Sequence, residues 1–224
     1  MDLVNKIIVL EGLDCSFKET NSKYIKTLLD SMNIKNVLYS FPMYESNSSF
    51  FIKEYLNGNL SKDPNDINPY QASLFYTLDR VHTYLTDIKK YYDDGYTIIF
   101  DRYMGSNCIY QSVKLDDYSK RLDFIQWILD LEINKLDLPK PDITLYMRTP
   151  YEVSMELMKN KEGADIHETN VEFQKRVYDN ADFVCDVLQW TIINCTENNK
   201  LLSKEEIAEK IKTVLLSKSS IISI

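Results

Sequence analysis

The sequence predicts an α/β protein built on a doubly wound, five-stranded parallel sheet flanked by helices. Three observations carry that prediction. Short apolar runs alternate with helical segments along the chain, the pattern of right-handed crossovers between parallel strands. The first run feeds a turn and then a helix opening on Lys18, a strand–turn–Gly–Lys–helix layout. A carboxylate and a guanidinium, Asp101 and Arg102, stand at the end of the third run, where open α/β sheets gather functional groups.

The elements follow in order. Ile7 to Leu10 reads as a buried parallel strand, and the helix from Lys18 places Tyr24, Ile25, Leu28 and Leu29 on one apolar face. Asn36 to Ser40 is a second strand, ended by Phe41-Pro42 because Pro cannot continue it. Phe50 to Leu56 is a short helix closed by Asn57-Gly58, followed by polar loop to Ile67. Asn68-Pro69 opens a long helix that runs to Asp94 and stops at Gly95. Tyr96 to Phe100 is the third strand, followed by helices from Ser106 to Lys114 and Tyr118 to Lys135. Asp142 to Met147 is the fourth strand, after a rigid Leu138-Pro-Lys-Pro141 connection. Tyr151 to Lys159 is helical, Asn160 to Asn170 is polar, and Val171 to Leu188 is a long helix. Trp190 to Asn194 is the fifth strand, and a last helix from Ser203 to Ser217 opens on the capping box Ser203-x-x-Glu206. With no repeat or linker, 1–224 reads as a single domain.

Composition narrows the function. The 224 residues are 44% hydrophobic and 27% charged, an ordinary globular balance. A net charge of −8 argues against nucleic acid as a partner, since phosphate-backbone binding needs a basic face. A mononucleotide needs only a local cluster. Four cysteines without C-x-x-C spacing and two histidines make a structural zinc site a poor fit and suit free thiols in a reducing cytoplasm. No apolar run reaches membrane-spanning length, and the N-terminus enters the first strand without room for a signal peptide.

The turn from Glu11 through Gly12, Leu13, Asp14, Cys15, Ser16, Phe17, Lys18 and Glu19 to Thr20 carries the first chemistry. In a phosphate-binding loop, backbone N–H groups and a helix N-terminus cradle phosphate oxygens, and the Lys adds a point charge for the β- and γ-phosphates. Gly12 and Lys18 have the right spacing, but Phe17 stands where a second Gly belongs. Glu19 replaces the Ser or Thr that would hold magnesium, and Cys15 occupies a position often taken by Gly. The motif alone leaves open an ordinary strand-to-helix turn.

Several separated pieces together resemble the thymidylate kinases, within the P-loop nucleoside-monophosphate kinases. They are Glu11-Gly-Leu-Asp14 with Lys18, Phe41-Pro42, Phe75-Tyr-Thr-Leu-Asp-Arg80, Asp101-Arg-Tyr103 with Ser106-Asn107, Pro141-Asp-Ile-Thr-Leu-Tyr146, and Asp165-Ile-His-Glu168. The resemblance implies a kinase-like fold with a lid at about 159–170 and transfer of phosphate from ATP to dTMP with Mg2+. It further implies a homodimer, for which Phe124, Trp127 and Ile128 are either interface or core. The rival readings are a kinase for another deoxynucleoside monophosphate and a catalytically weak nucleotide-binding protein.

The same resemblance distributes the roles. Lys18, Arg102, Asp101 and the lid residue Lys161 are the catalytic candidates, with Asp101 near magnesium; Glu19, where the chain departs from the family, either ligates magnesium as a hard carboxylate or repels the triphosphate. Asp14 falls where the family contacts the sugar, though a turn-favouring Asp explains it equally. The dTMP candidates are Asp14, Phe41, Phe75, Tyr76, Arg80, Arg102, Ser106, Asn107, Tyr110 and Gln111. Either Phe75 or Tyr76 stacks on the base, with Arg80 one turn on from Tyr76. Ser106 reads alternatively as a helix cap, and His167 as a surface residue of the lid. Met43-Tyr44 stands where many members carry an Arg, and no Arg lies between Lys161 and Asn170, so lysine must serve there without the planar fork.

Overall fold

Parallel strands covered on both faces are apolar throughout, and here that pattern forms the sheet. In the computed structural model, residues 3–158, 165–198 and 200–219 are described. The strands β1 (Ile7–Glu11), β2 (Asn36–Ser40), β3 (Thr97–Asp101), β4 (Ile143–Arg148) and β5 (Thr191–Asn194) lie in the order β2-β3-β1-β4-β5. Every pairing among them is parallel.

Register does most of the work of assembling the site. Leu10 pairs with Asp101, Ser40 also pairs with Asp101, and Glu11 pairs with Tyr146. The carboxyl ends of β1, β2, β3 and β4 therefore finish level, bringing the turn after Glu11, Phe41-Pro42 and Asp101-Arg102 to one edge.

Helices α1 (Lys18–Ser31), α2 (Phe50–Leu56), α3 (Pro69–Thr83), α4 (Lys89–Asp93), α5 (Met104–Tyr110), α6 (Tyr118–Leu129), α7 (Tyr151–Met158), α8 (Ile166–Thr169), α9 (Val171–Leu188) and α10 (Lys204–Ser219) make the crossovers. One face of the sheet packs Ile8, Leu10, Ile99, Leu145 and Met147 against Ile25 and Leu29 of α1 and Ile207 and Ile211 of α10. Each such fully buried aliphatic side chain contributes about 1.5–3 kcal/mol. The other face packs Ile98 and Phe100 against Tyr84 and Ile88, and Tyr146 joins the layer formed by α6 and α9. Phe124 and Ile128 are wholly buried there, with Trp127 packed on them, so these residues are core.

Several boundaries differ from the sequence reading. The long helix from Pro69 is continuous to Asp93 but contains a π turn at Tyr84–Ile88, and α6 ends in another at Asp130–Lys135. The strand β3 sits one residue later than expected. α5 starts at Met104, so Ser106 lies inside the helix rather than capping it, and a 3-10 turn at Ser112–Lys114 follows. Part of the polar segment before Asn170 is helical, because Asp165 and Glu168 form a reciprocal capping box on α8. A small hairpin, β6 (Thr196–Glu197) with β7 (Lys200–Leu201), had no sequence signal long enough to read. The lid lysines Lys159 and Lys161 lie outside the described residues.

Candidate active site

Glu11 ends β1 with its side chain fully buried. It accepts from Tyr103 N at 2.9 Å, Ser106 N at 3.0 Å and Ser106 Oγ at 2.7 Å. Burial pushes its carboxyl up, while the Ser106 bond and the Arg102 charge pull the other way. Glu11 was expected to bind phosphate. All of these contacts are to the start of α5, so it ties that helix to the sheet instead.

The turn that follows is shaped by backbone conformation. Gly12 has φ +159°, and a Cβ there would lie 2.5 Å from Ser16 Oγ and 3.0 Å from the Met147 carbonyl oxygen. Cys15 and Phe17 take φ values of 56° and 65°. Phe17 thus holds the left-handed geometry that glycine adopts freely, and its ring packs on the core beside α1. Such alternation of backbone hand curls N–H groups into an anion-binding concavity.

Lys18 opens α1 and is buried. Its Nζ donates to the Leu13 carbonyl and to Ser16 Oγ at 3.1 Å, folding the lysine across its own loop. Burial, and then the charge of Arg102, lower its pKa to about 8. Glu19 and Thr20 follow in the first turn of α1, and both are exposed. Glu19 extends away to Lys23, with Oε1 2.6 Å from Nζ and its side chain 75% exposed. The expectation that Glu19 ligates magnesium is not met by this arrangement. A charge one helical turn on outcompetes the loop, and the first-turn position favours a carboxylate through the helix dipole.

Arg102, with φ 65°, bridges the loop and the neighbouring cavity. Nη1 donates to the Gly12 carbonyl at 2.9 Å and reaches Ser106 Oγ at 3.4 Å, while Nη2 donates to Asp14 Oδ1 at 2.5 Å. Tyr110 lies under the guanidinium at 5.6 Å and donates its hydroxyl to Asp14 Oδ2 at 3.0 Å. Asp101 is buried beside Lys18 and Arg102. Burial raises its carboxyl pKa while both cations oppose the rise.

A cavity, open to solvent on one side, lies next to Arg102. Asp14, Phe41, Tyr76, Arg80, Asn107 and Gln111 line it, together with Arg102, Ser106 and Tyr110. Phe75 does not. Its ring stacks on Phe51 at 5.8 Å and tilts against Tyr55, so the pair left open by sequence resolves to Tyr76 at the cavity wall. Gln111 is 1% exposed, and its Oε1 has no hydrogen-bond partner among the described residues. Asn107 donates to the Ser73 carbonyl at 3.3 Å. Arg80 is gripped from behind by Glu132, whose side chain is wholly buried.

His167 corrects a further expectation. It is not a surface residue: it is 5% exposed, lines the cavity and stacks on Tyr110 at 5.8 Å and 14°. Its Nε2 lies 2.8 Å from the Tyr55 hydroxyl, which also accepts from Lys114 Nζ at 2.8 Å. The Tyr55 oxygen has two acceptor sites and its proton has a second acceptor in the Pro64 carbonyl at 3.5 Å, so either tautomer of His167 satisfies the contact. Burial, with Lys114 adding to it, drives the His167 pKa down to about 3.

Tyr44 and Asp165, which sequence reading noted without giving them a role, also line the cavity, and sequence reading missed Tyr55, Lys114 and Glu132 behind it. Met43 N is held by Asp79 Oδ2 at 2.8 Å, which seats the turn carrying Tyr44 over the cavity.

A family model described as "Thymidylate kinase" matches residues 10–207. The chain belongs to the thymidylate kinase family. Among curated relatives, it is 30% identical to a thymidylate kinase of Arabidopsis thaliana over 94% of this chain and 70% of that protein. It is likewise 30% identical to a thymidylate kinase of Prochlorococcus marinus (strain NATL1A), over 93% of this chain and 94% of the relative. A putative thymidylate kinase of Invertebrate iridescent virus 6 is 27% identical over 89% of this chain and 84% of its own. The solved thymidylate kinase of Candida albicans superposes with a TM-score of 0.71 at 23% identity, covering 96% of this chain and 92% of that one. As a family member the chain is a nucleoside-monophosphate kinase, a nucleotide-binding transferase with the P-loop kinase fold.

Proposed function

We propose that the chain transfers the terminal phosphoryl group of ATP to dTMP, giving dTDP. The observation that carries this reading is the position of Arg102, which touches Gly12 of the phosphate loop and Asp14 and Tyr110 of the cavity wall. Donor and acceptor phosphates would meet at its planar fork. Lys18 leaves its own loop and follows the β- and γ-phosphates. Tyr76 and Arg80 take the base, and Asp14 and Tyr110 take the sugar. The acceptor phosphate is already anionic, so no general base is needed. Catalysis is positioning and charge neutralisation.

Mg2+ fits the residues present. Among the described residues no three His, Cys, Asp or Glu cluster as a cage. One buried carboxylate, Asp101, stands beside Lys18 at the loop, and magnesium is commonly held by one carboxylate together with substrate phosphates and waters. Bound there with ATP, the ion would supply charge neutralisation at the phosphates.

We also propose that the protein acts as a homodimer, on its membership of the family alone, in the cytoplasm, on its free thiols, and without a nucleic-acid partner, on its net charge of −8. No helix among the described residues is long and apolar enough to cross a membrane. The deciding experiment is a coupled ADP-release assay across dTMP, dUMP, dCMP, dGMP and dAMP. A clear preference for dTMP supports the reading. A preference for another nucleotide reassigns the base, and no turnover with any of them leaves only a nucleotide-binding protein.

A further inference from the structure

Arg80 enters the cavity with part of its hydrogen-bonding capacity already committed. Its Nε donates to Glu132 Oε2 at 2.8 Å, and Nη2 donates to Oε1 of the same carboxylate. The two side chains are 3% and 0% exposed. Thr77 Oγ1, one turn before Arg80 on α3, lies 2.7 Å from Glu132 Oε1 and fixes the carboxylate from a third side. Glu132 itself sits on the π turn that ends α6, where its carbonyl accepts from Leu138 N at 2.9 Å. It does not line the cavity.

A guanidinium has five N–H donors and no acceptor. With Nε and one N–H of Nη2 held by Glu132, three donors remain for a ligand, the two of Nη1 and the second of Nη2. A lone arginine on a helix would sample many rotamers, and ordering it on binding would cost affinity. The fork-on-fork pair removes that freedom in advance.

We propose that Glu132 is a positioning residue that sets base selectivity. By gripping Arg80 from behind, it presents a fixed, donor-only edge that accepts a pyrimidine with a carbonyl oxygen at position 4 and rejects one with an amino group there. The inference rests on the proposed reading of the cavity as the deoxynucleotide site. A 4-amino group would set donor against donor in a buried place and leave both unpaired, a heavy penalty in a site built for hydrogen bonding. A loosened Arg80 can turn away, so it rewards the carbonyl less and punishes the amine less.

The test compares kinetics for dTMP and dCMP, with the KM for ATP as internal control, in Glu132→Gln, Thr77→Val, Arg80→Met and the double variant Arg80→Met/Glu132→Met. Loss of a charge-assisted grip should raise the KM for dTMP in Glu132→Gln by about tenfold or more and narrow the dTMP-over-dCMP preference, leaving the KM for ATP unchanged. Thr77→Val should move both readouts the same way by less, and it keeps the buried ion pair should Glu132→Gln fold poorly. In the double variant, Glu132→Met should add nothing to the loss of preference already caused by Arg80→Met. If Arg80→Met loses the preference while Glu132→Gln and Thr77→Val keep it, Glu132 is only a counter-ion and the inference falls with the proposed function intact. If Arg80→Met keeps the preference, Arg80 does not read the base, and the assignment of the cavity fails with the inference.

Discussion

Lys18 Nζ lies 3.1 Å from Ser16 Oγ, so the lysine closes the loop it is expected to serve. Binding ATP must exchange those contacts for phosphate oxygens. Lys18→Ala should therefore leave the fold intact and lower turnover by roughly a hundredfold or more, since it deletes a charge aimed at the transferring phosphoryl group. Circular dichroism and the coupled assay on one preparation test both halves, and natural turnover in the folded variant would remove Lys18 from the mechanism.

The lowered pKa of Lys18, about 8 against 10.5, sets a pH signature. In the free enzyme the lysine is charged below about 8, so kcat/KM for ATP should fall as pH rises through that value. Stability should move the other way. The unfolded chain binds this proton more tightly, so the Lys18 contribution to stability rises between pH 8 and 10.5. Lys18→Met should flatten the stability change over that window.

Glu19→Ser should change little. The residue lies 2.6 Å from Lys23 on the exposed face of α1, an i,i+4 pair worth about 0.3–0.5 kcal/mol. Calorimetric titration of ATP with and without magnesium should give the same metal dependence in both proteins. A smaller magnesium effect in the serine variant would show that Glu19 swings back to the loop when nucleotide binds.

Tyr76→Ala should weaken dTMP by roughly 5- to 150-fold, at about 1–3 kcal/mol for a lost stacking ring, with ATP unaffected. Phe75→Ala should spare both substrates and lower thermal stability, because its ring packs on Phe51 and Tyr55. The reverse pattern would exchange the two assignments.

His167 gives a second pH signature. Its ring faces Tyr55, Tyr110 and, through them, Lys114 and Asp14. The folded state keeps it neutral down to about pH 3, whereas the unfolded chain protonates it below 6.5. Its contribution to stability is complete above 6.5 and lost as pH falls from 6.5 toward 3. Urea midpoints measured at about pH 7 and pH 5 should separate less in His167→Phe than in the natural protein. An equal acid loss in both would place the titrating group elsewhere.

What sequence could and could not reveal follows from range. The phosphate loop, β2, α2 and α9 were legible because their signals are local: a glycine at fixed spacing, a proline, a cap, a period. The level ends of β1 and β3, and hence Arg102 on Gly12, follow from the parallel sheet. Side-chain direction was not legible. Glu19 had two available partners, and only the helix geometry selects Lys23. Phe75 and Tyr76 are adjacent, so a rotation of about 100° decides which sees the cavity. Glu132 left a trace that could have been followed: it falls with Ile125 and Ile128 on the buried stripe of α6, where an acid demands a partner. Its partner, Arg80, lies 52 residues away.

Phe17 tests the physical account of the variant loop. It occupies the N-cap of α1 at φ 65° and ψ 15°, where a second glycine would be expected. Two effects oppose each other there. The left-handed backbone costs a residue with a Cβ about 1–2 kcal/mol, and the partly buried ring returns a similar amount by packing on the core. Phe17→Gly loses the packing but also the strain, so its stability should lie within about 1 kcal/mol of the natural protein. Phe17→Ala loses the packing and keeps the strain. It should therefore be less stable than Phe17→Gly by about 1 kcal/mol, reversing the usual order of alanine over glycine beside a helix. Denaturant unfolding of the two variants measures the difference directly. If alanine proves equal or better, the backbone at residue 17 relaxes out of the left-handed region once the ring is gone. The loop would then owe its shape to Phe17 packing rather than to the geometry that glycine supplies in other loops. Turnover reads the same question from the other side: Phe17→Gly should retain activity, because the cradle of N–H groups keeps its shape without the ring.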